Sequence, residues 1–277
     1  MTVAVVVDST ADIPAPLREQ YEITVVPLLI LFGKEQYRDG VDMSNEEFYR
    51  RLIEGTVHPT TSQPSPGDFA ESYEKLAAEH EGIISIHLGG KLSGTVRSAQ
   101  QAADMLPDVP IKVIDSGSVS MGLGFLGIEA AKMAQAGQKL DEIAAAVEGL
   151  IPRIRLWAVL DTLTYLVRGG RIGRGSAFLG NLLNVKPMIY VRGEVLPGER
   201  VRTHKKAIAR LVEFASDDAP FLDLAVLHSR SEAYANELAD QLSSVFPRDQ
   251  LVVAELTGVI GVHGGPGIVG ITGITRS

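Results

Sequence analysis

Cysteine is absent from the 277-residue chain, and aromatic residues make up only 6% of it. Without cysteine, the chain cannot form disulfides, thiolate zinc sites, iron–sulfur clusters or cysteine nucleophiles. Positive charge is also in deficit, because 26 Lys and Arg residues stand against 34 Asp and Glu residues, which gives a formal net charge of −8. A general nucleic-acid-binding protein needs a cationic surface that neutralises phosphates, so we expect no nucleic-acid partner.

Long apolar runs of the kind that cross a membrane are missing as well. The longest stretch without charged residues, from Leu256 to Thr275, is interrupted by seven glycines and by Pro266. A transmembrane helix needs about 20 mainly apolar residues, so this stretch is predicted to form glycine-rich loop and strand. The first residues carry no basic segment of a secretory signal, and Asp8 interrupts the first apolar run. We therefore expect a cytoplasmic protein.

Short apolar, β-branched runs recur along the chain, with amphipathic segments between them. The runs predicted as strands are Thr2–Val7, Ile23–Leu31, Ile83–Leu88, Ile111–Ile114, Leu156–Leu160, Pro187–Val191, Leu222–Leu227 and Leu251–Leu256. Stripes at helical spacing lie at Phe69, Tyr73, Leu76 and Ala77, at Ile208, Leu211, Val212 and Ala215, and at Tyr234, Leu238 and Leu242. Several strands are apolar almost throughout, which is typical of a parallel sheet covered by helices on both faces. The alternation predicts an α/β fold.

The pattern changes near Pro152 and Leu156, which predicts a domain boundary there. We expect an N-terminal α/β domain over residues 1–160, with a mainly parallel sheet. A C-terminal α/β domain over residues 161–277 is expected to have a mixed sheet, with a hairpin near Gly193. No low-complexity linker separates the two, so they should pack closely.

Hydroxyl side chains follow three of the N-terminal strands at the points where these strands end. The segments are Asp8-Ser9-Thr10, Leu92-Ser93-Gly94-Thr95 and Asp115-Ser116-Gly117-Ser118. Ligands of open α/β sheets bind beyond the carboxyl ends of the strands, but serine and threonine at these places also cap helices. Ser93 and Thr95 are the better candidates for a ligand contact. Gly94 permits close approach, and a helix is predicted from Val96 to Met105, so its N-terminus would favour an anion.

A second candidate is the proline-rich segment from His58 to Asp68, which reads HPTTSQPSPGD. Prolines restrict their own backbone and that of the residue before them. The segment would therefore hold Thr60, Thr61 and Ser62 in a preorganised arrangement. An ordinary cap for the helix that begins near Asp68 is an equally good interpretation.

Positive charge is concentrated between Arg168 and Lys206, where nine Lys and Arg residues stand against two acidic residues. Arginine is the usual partner of carboxylates and phosphates. A solvated surface explains the Arg200–Lys206 part, whereas Arg171, beside glycines, is a candidate anion ligand. His263 lies among glycines that leave room for a ligand, although a lone histidine is more often structural.

Two glycine motifs resemble dinucleotide-binding sequences but lie in the wrong context. Gly122–Gly127 begins several residues after the preceding strand, and Gly265–Gly270 leaves too little chain for a βαβ unit. The chain has no P-loop sequence, and its histidines show no metal-ligand spacing. We therefore predict neither a cofactor nor a metal site.

Short segments spread along the whole chain together resemble the DegV family of bacterial fatty-acid-binding proteins, which includes the FakB-type subunits of fatty acid kinase. The segments are Asp8-Ser9-Thr10-Ala11-Asp12, Val26-Pro27-Leu28, Thr61-Ser62-Gln63-Pro64-Ser65, Leu92-Ser93-Gly94-Thr95, Gly169-Gly170-Arg171-Ile172, Lys186-Pro187 and His263-Gly264-Gly265-Pro266-Gly267. Each is short, but their order is specific. The chain departs from the family pattern at Val167-Arg168, where two lysines are common, and after Lys186-Pro187, where no acidic turn residue follows.

This resemblance implies two α/β domains with one long-chain fatty acid, such as palmitate, buried between them. It implies that Thr61 and Ser93 hold the carboxylate, with Arg171 and His263 close to it. The protein would then be a lipid-binding carrier for lipid transport or fatty acid metabolism, and a partner fatty acid kinase would carry out the catalysis. The basic residues Arg200–Lys206 would dock that partner or make transient contact with an anionic membrane surface.

Two other functions use the same residues. Ser93 as nucleophile and His263 as base would suit an acyl hydrolase or transferase. No third group that would orient the base is evident, however, and the sequence around Ser93 is not Gly-x-Ser-x-Gly. A binding module for a phosphorylated small molecule would use these hydroxyls and arginines without an apolar tunnel.

Overall fold

The computed structural model describes residues 3–174 and 185–276, so Thr2, the predicted start of the first strand, lies outside the described residues. The strands are β1 (Val3–Asp8), β2 (Thr24–Val26), β3 (Leu29–Phe32), β4 (Glu35–Arg38), β5 (Thr60–Ser62), β6 (Gly82–His87), β7 (Ile111–Asp115), β8 (Ile154–Val159), β9 (Lys186–Arg192), β10 (Glu194–Val201), β11 (Phe221–His228), β12 (Val252–Glu255) and β13 (Val269–Thr275). The helices are α1 (Ala15–Gln20), α2 (Asn45–Glu54), α3 (Pro66–Ala77), α4 (Thr95–Asp104), α5 (Met121–Gln135), α6 (Leu140–Leu150), α7 (Thr164–Arg168), α8 (His204–Asp218), α9 (Glu232–Gln241) and α10 (Gly258–Gly264). The predicted α/β fold class is confirmed.

The N-terminal part is built on a parallel sheet with the strand order β2-β1-β6-β7. All six residues of β6 are buried, because helices cover both faces of the sheet. Helices α3 and α4 pack on one face, while α5 and α6 pack on the other. The predicted parallel N-terminal sheet is therefore confirmed, and so is the helix predicted from the stripe that begins at Phe69.

The C-terminal sheet is mixed and has the strand order β10-β9-β8-β13-β11-β12. Strands β11 and β12 are parallel, whereas the other neighbours are antiparallel. The predicted hairpin is formed by β9 and β10, which turn at Gly193 with φ +72°. Strand β8 lies before the predicted boundary at residue 160 but pairs in this sheet. The division into residues 1–160 and 161–277 stays a prediction.

A third, three-stranded sheet, ordered β4-β3-β5, packs against α2 and α10. The prediction of one continuous strand over Ile23–Leu31 was wrong, because β2 and β3 are separate strands that belong to different sheets. The break falls at Pro27, which has no N–H group for a strand ladder. The prediction of only loop and strand after Leu256 was also wrong, because α10 forms there.

Helix α5 connects the two large sheets, since it packs against β1 and β6 of the first and β13 of the second. The Gly122–Gly127 motif lies inside this helix. A Cβ added to Gly124 would lie 2.7 Å from the carbonyl oxygen of Ala11, and one added to Gly127 would lie 2.8 Å from Cγ1 of Val7. These glycines therefore serve close packing of α5 on the first sheet.

Candidate ligand-binding site

A cavity of about 470 Å³ lies between the first and second sheets. Its volume falls in the range of small-molecule sites, roughly 300–1,000 Å³. Its apolar lining residues are Leu28, Leu88, Leu92, Val119, Leu156, Ala158, Leu160, Leu166, Ile189, Val191, Val195, Leu227, Leu256, Val259, Ile260 and Ile268. Both halves of the chain supply the wall, so the cavity exists only where the two sheets face each other.

The alternation of side chains along β8 explains the apolar wall on the C-terminal side. Leu156 and Ala158 line the cavity, as does Leu160 just after the strand. Trp157 and Val159 point to the opposite face, where they join the core under α8 and α9. Successive side chains of a strand point to opposite faces, so one strand serves both the cavity and the core behind it.

The polar end of the cavity is built around Thr61 and His263. Thr61 lies on β5, where it pairs with Ile30 of β3, and His263 lies in the last turn of α10. The Thr61 Oγ1 atom is 2.8 Å from Nε2 of His263. Packing of α10 against β3 and β5 brings these residues together although 202 positions separate them in the chain.

The imidazole of His263 is neutral at neutral pH. Burial, with smaller contributions from the nearby Arg171 and His58, lowers the pKa of His263 to about 4. Its Nδ1 atom is buried and finds no hydrogen-bond partner among the described residues. Among the described residues, the ring of His263 is therefore hydrogen-bonded only through Nε2, to Thr61.

Ser93 lies immediately before the N-terminus of α4. Its Oγ atom is 2.9 Å from Oγ1 of Thr95, and the N-cap residue of α4, Gly94, offers no side-chain hydrogen bond to the helix. The first N–H groups of an α-helix have no partner within the helix and carry partial positive charge. An anion at Ser93 would satisfy them.

Arg171, in the segment that follows α7, also lines the polar end of the cavity. Its Nε donates to the carbonyl oxygen of Leu92 at 3.1 Å, and its Nη1 donates to that of Gly169 at 2.8 Å. These two bonds fix the guanidinium between the loop that carries Ser93 and the end of α7. Its positive charge therefore lies at the polar end of the cavity.

All four residues singled out by the sequence, Thr61, Ser93, Arg171 and His263, line this one cavity. Two hydrogen bonds hold them, one between Thr61 and His263 and one from Arg171 to Leu92, the residue before Ser93. Their role as ligand contacts stays a prediction.

Three further hydroxyls line the cavity, those of Thr10, Ser62 and Ser120, and of these Ser120 was not singled out from the sequence. Thr10 donates to Oδ1 of Asp8 at 2.5 Å, and Ser120 donates to Oδ2 of Asp12 at 2.6 Å. Ser120 has φ +56°, which non-glycine residues rarely adopt. Such a conformation is imposed by the tertiary structure, so no sequence signal points to it.

Comparisons with known proteins agree with this architecture. A family model described as "Uncharacterised protein, DegV family" matches residues 2–276. A DegV domain-containing protein of Streptomyces coelicolor is 41% identical over 280 residues, which cover 99% of each chain. The chain belongs to the DegV family. The family resemblance drawn from the short segments is thereby confirmed.

Solved structures of DegV proteins share the fold closely. A Thermus thermophilus DegV family protein, described in terms of its fatty acid binding, matches with a TM-score of 0.92 and 36% identity over 99% of this chain and 100% of its own. Bacillus subtilis DegV, described as a fatty acid binding protein, matches with a TM-score of 0.90 and 35% identity over 100% of both chains. Among the residues described for the present DegV protein, no helix has the length and apolar character needed to cross a bilayer.

Proposed function

We propose that this DegV protein binds one long-chain fatty acid, such as palmitate, in the cavity between its two large sheets. The observation that carries the proposal is a cavity with apolar walls whose polar lining includes the hydroxyls of Thr61 and Ser93, the imidazole of His263 and the guanidinium of Arg171. A fatty acid has the same division, with a long apolar tail and one anionic end. The fatty acid binding described for the Thermus and Bacillus relatives supports the same assignment.

The tail supplies most of the affinity. Burial of a CH₂ group contributes about 0.8 kcal/mol, so a 16-carbon chain gains roughly 10 kcal/mol before ordering and association costs. A hydrogen bond to a charged group adds only about 1.5–3 kcal/mol. The polar end therefore fixes the position and direction of the ligand more than it determines how tightly the ligand binds.

The carboxylate is held by Thr61 and Ser93 and by the N-terminus of α4, whose N-cap residue Gly94 has no capping side chain. Desolvation of an unpaired carboxylate is costly, and the Arg171 guanidinium offsets this cost from the side of α7. His263 contributes through its hydrogen bond with Thr61.

The carboxylate end faces outward, which suits a carrier that presents its ligand to a partner. Thr61, Ser93, Arg171 and His263 are each partly exposed, whereas Leu160 and most of the apolar wall are buried. We include in the proposal a cytoplasmic carrier that offers the carboxylate to a fatty acid kinase, as in FakB-type subunits. The basic residues Arg200–Lys206 are the surface we assign to that partner or to a transient membrane contact.

The acyl hydrolase alternative is less well supported by the geometry. His263 uses Nε2 for Thr61, and its Nδ1 has no acidic or carbonyl partner in the described residues that would orient it as a base. Ser93 is hydrogen-bonded to Thr95 rather than to His263. A phosphorylated small molecule would leave the apolar walls without a counterpart.

Native mass spectrometry of the purified protein tests the proposed function. We expect a bound fatty acid that organic extraction releases and that added palmitate restores. Ala158→Phe places a ring in the cavity from β8, so the folded variant should carry no fatty acid. A wild-type protein that never gains the mass of palmitate, although its circular dichroism is native, would contradict the proposal.

A further inference from the structure

A second cavity, of about 340 Å³, lies outside the cavity assigned to the fatty acid. Its wall comes from the turn after β1, from the loop between β4 and α2, and from β12 with Thr257 beyond it. The described lining residues of the two cavities do not overlap. A ligand in the second cavity would therefore contact a different set of side chains from a fatty acid in the first.

Acidic residues predominate in the wall of this second cavity. Its acidic lining residues are Asp8, Asp12, Asp39 and Glu255, whereas the exposed Arg18 is the only cation among the lining residues that the structure describes. The carboxylates of Asp8, Asp12 and Glu255 each accept hydrogen bonds from other parts of the chain. The cavity therefore carries an excess of acidic groups over basic ones.

Asp39 has a carboxyl group that the protein satisfies only in part. The residue is 3% exposed, and its Oδ2 atom is buried with no hydrogen-bond partner in the described part of the chain. Burial raises the pKa of Asp39 to about 6, and donors of Ser9, Thr257, Gly258 and Val259 oppose this shift only partly. Burial of a carboxylate without a positive partner is costly. A cation in the cavity would supply that partner.

The size and the lining of the cavity indicate an organic cation. Among residues 3–174 and 185–276, no three His, Asp or Glu side chains are grouped so that they could hold a metal ion. The volume of about 340 Å³ falls in the range of small-molecule sites, roughly 300–1,000 Å³. Apolar residues share the wall with the acids and would cover an aliphatic body; they are Ile13, Pro14, Val25, Pro27 and Val41.

We propose that this cavity is a second binding site, which takes a small organic cation with a primary ammonium group on a short aliphatic body, and that Asp39 and Asp12 hold the ammonium. An ammonium group offers a positive charge and three N–H donors, and an ionised carboxylate has room for several of them. This inference goes beyond the proposed function, because it assigns to the protein a second ligand with a cavity of its own.

An NMR titration with n-butylammonium chloride at pH 8 and constant ionic strength tests the site. The amide signals of Gly40, Val41 and Thr257 should shift and saturate, with a Kd on the order of 1 mM for a ligand of this size. The uncharged n-butanol should bind at least about tenfold more weakly, because it lacks the charge-assisted hydrogen bonds. Equal binding of n-butanol, or the same shifts with MgCl2 and none with n-butylammonium, would overturn the proposal.

Substitution of Asp39 tests which group holds the cation. Asp39→Asn keeps the shape of the side chain without its charge, so it should weaken n-butylammonium binding at least about tenfold. The matched control is Asp42→Asn in the same loop, because Asp42 pairs with Arg38 at 2.8 Å and does not line the cavity. Palmitate affinity should be unchanged in both variants, since neither residue lines the first cavity. A folded Asp39→Asn protein that binds n-butylammonium like the wild type would contradict the proposal.

The pH dependence of the wild-type protein tests the same assignment even if Asp39→Asn does not fold. Burial raises the pKa of Asp39 to about 6 and that of Asp12 to about 7, so both carboxyls must lose their protons to hold a cation. The other ionisable groups around them are Asp8, Glu255, Arg18 and Tyr49. Binding of n-butylammonium should be at least about tenfold weaker at pH 5 than at pH 8. Equal affinity at the two pH values would exclude Asp39 and Asp12 as the groups that hold it.

Discussion

The hydroxyls of Thr61 and Ser93 differ in the hydrogen bonds they already make, and this difference predicts unequal contributions. Removal of Thr61 also leaves the Nε2 atom of His263 without its partner. Removal of Ser93 breaks only a long bond, 3.4 Å, from the Thr95 N–H and leaves the Thr95 hydroxyl in place, 2.9 Å from the lost oxygen. We expect Thr61→Ala to weaken palmitate binding roughly 10- to 100-fold, and Ser93→Ala roughly 3- to 10-fold.

Isothermal titration calorimetry with delipidated protein measures both losses. Ser244→Ala, at an exposed position three residues after the end of α9, is the matched control, and neither site variant should unfold the protein. Unchanged affinity in both site variants would remove Thr61 and Ser93 from the site.

Asp12 makes stability depend on pH. Burial raises the pKa of Asp12 from 3.8 to about 7, although hydrogen bonds from Ser120 and from the Thr257 backbone oppose the shift. The folded state thus favours the protonated acid, and this stabilisation is complete below about pH 4 and lost as the pH rises to 7. Asn at position 12 keeps the bonds without the charge, since it accepts from Thr257 and donates to Ser120.

We therefore expect Asp12→Asn to gain stability relative to the wild type as the pH rises from 4 to 7, by on the order of 2–4 kcal/mol in total. Urea unfolding at several pH values measures the difference. Asp42→Asn is the control, because Arg38 lowers the pKa of exposed Asp42 to about 2, so its difference should stay flat above pH 5. A flat difference for Asp12→Asn as well would show that Asp12 is ionised in the native protein at all these pH values.

Among the elements, those with a continuous apolar run or a helical stripe could be predicted from sequence. Strand β6 and helix α8 are examples, because burial on both faces or on one face leaves a pattern in the residues themselves. Strand β5 could not be predicted, since its three residues are Thr60, Thr61 and Ser62 and only β3 gives them a place in a sheet. The proline-rich segment from His58 to Asp68, which contains β5, was singled out by its prolines and by the family resemblance, not by strand character.

Helix α10 shows why the site itself could not be assembled from sequence. Three of its seven residues are glycines, which disfavour a helix by about 1 kcal/mol each relative to alanine. The glycines are needed because a Cβ on Gly258 would lie 2.5 Å from Cδ1 of Ile30, and one on Gly261 would lie 2.5 Å from Cε1 of Phe48. Tertiary packing thus overrides helix propensity, and it carries His263 to Thr61.

At the scale of the whole molecule, the position of the cavity couples ligand binding to the stability of both halves of the chain. Its walls come from the N-terminal strand ends and from β8, β9 and β11, and α5 packs against both large sheets. A ligand in this cavity contacts both halves at once. The two predicted domains, residues 1–160 and 161–277, should therefore unfold together rather than one after the other.

Thermal unfolding with and without palmitate tests this coupling. A ligand that binds only the native state at 100 times its Kd stabilises that state by roughly 2.7 kcal/mol, so the Tm of delipidated protein should rise by several degrees in one cooperative transition. Ala158→Phe, whose added ring occupies the cavity, should show one transition and no shift with palmitate. Two transitions, of which palmitate moves only one, would mean that the fatty acid contacts a single half and that the cavity between the sheets is not its site.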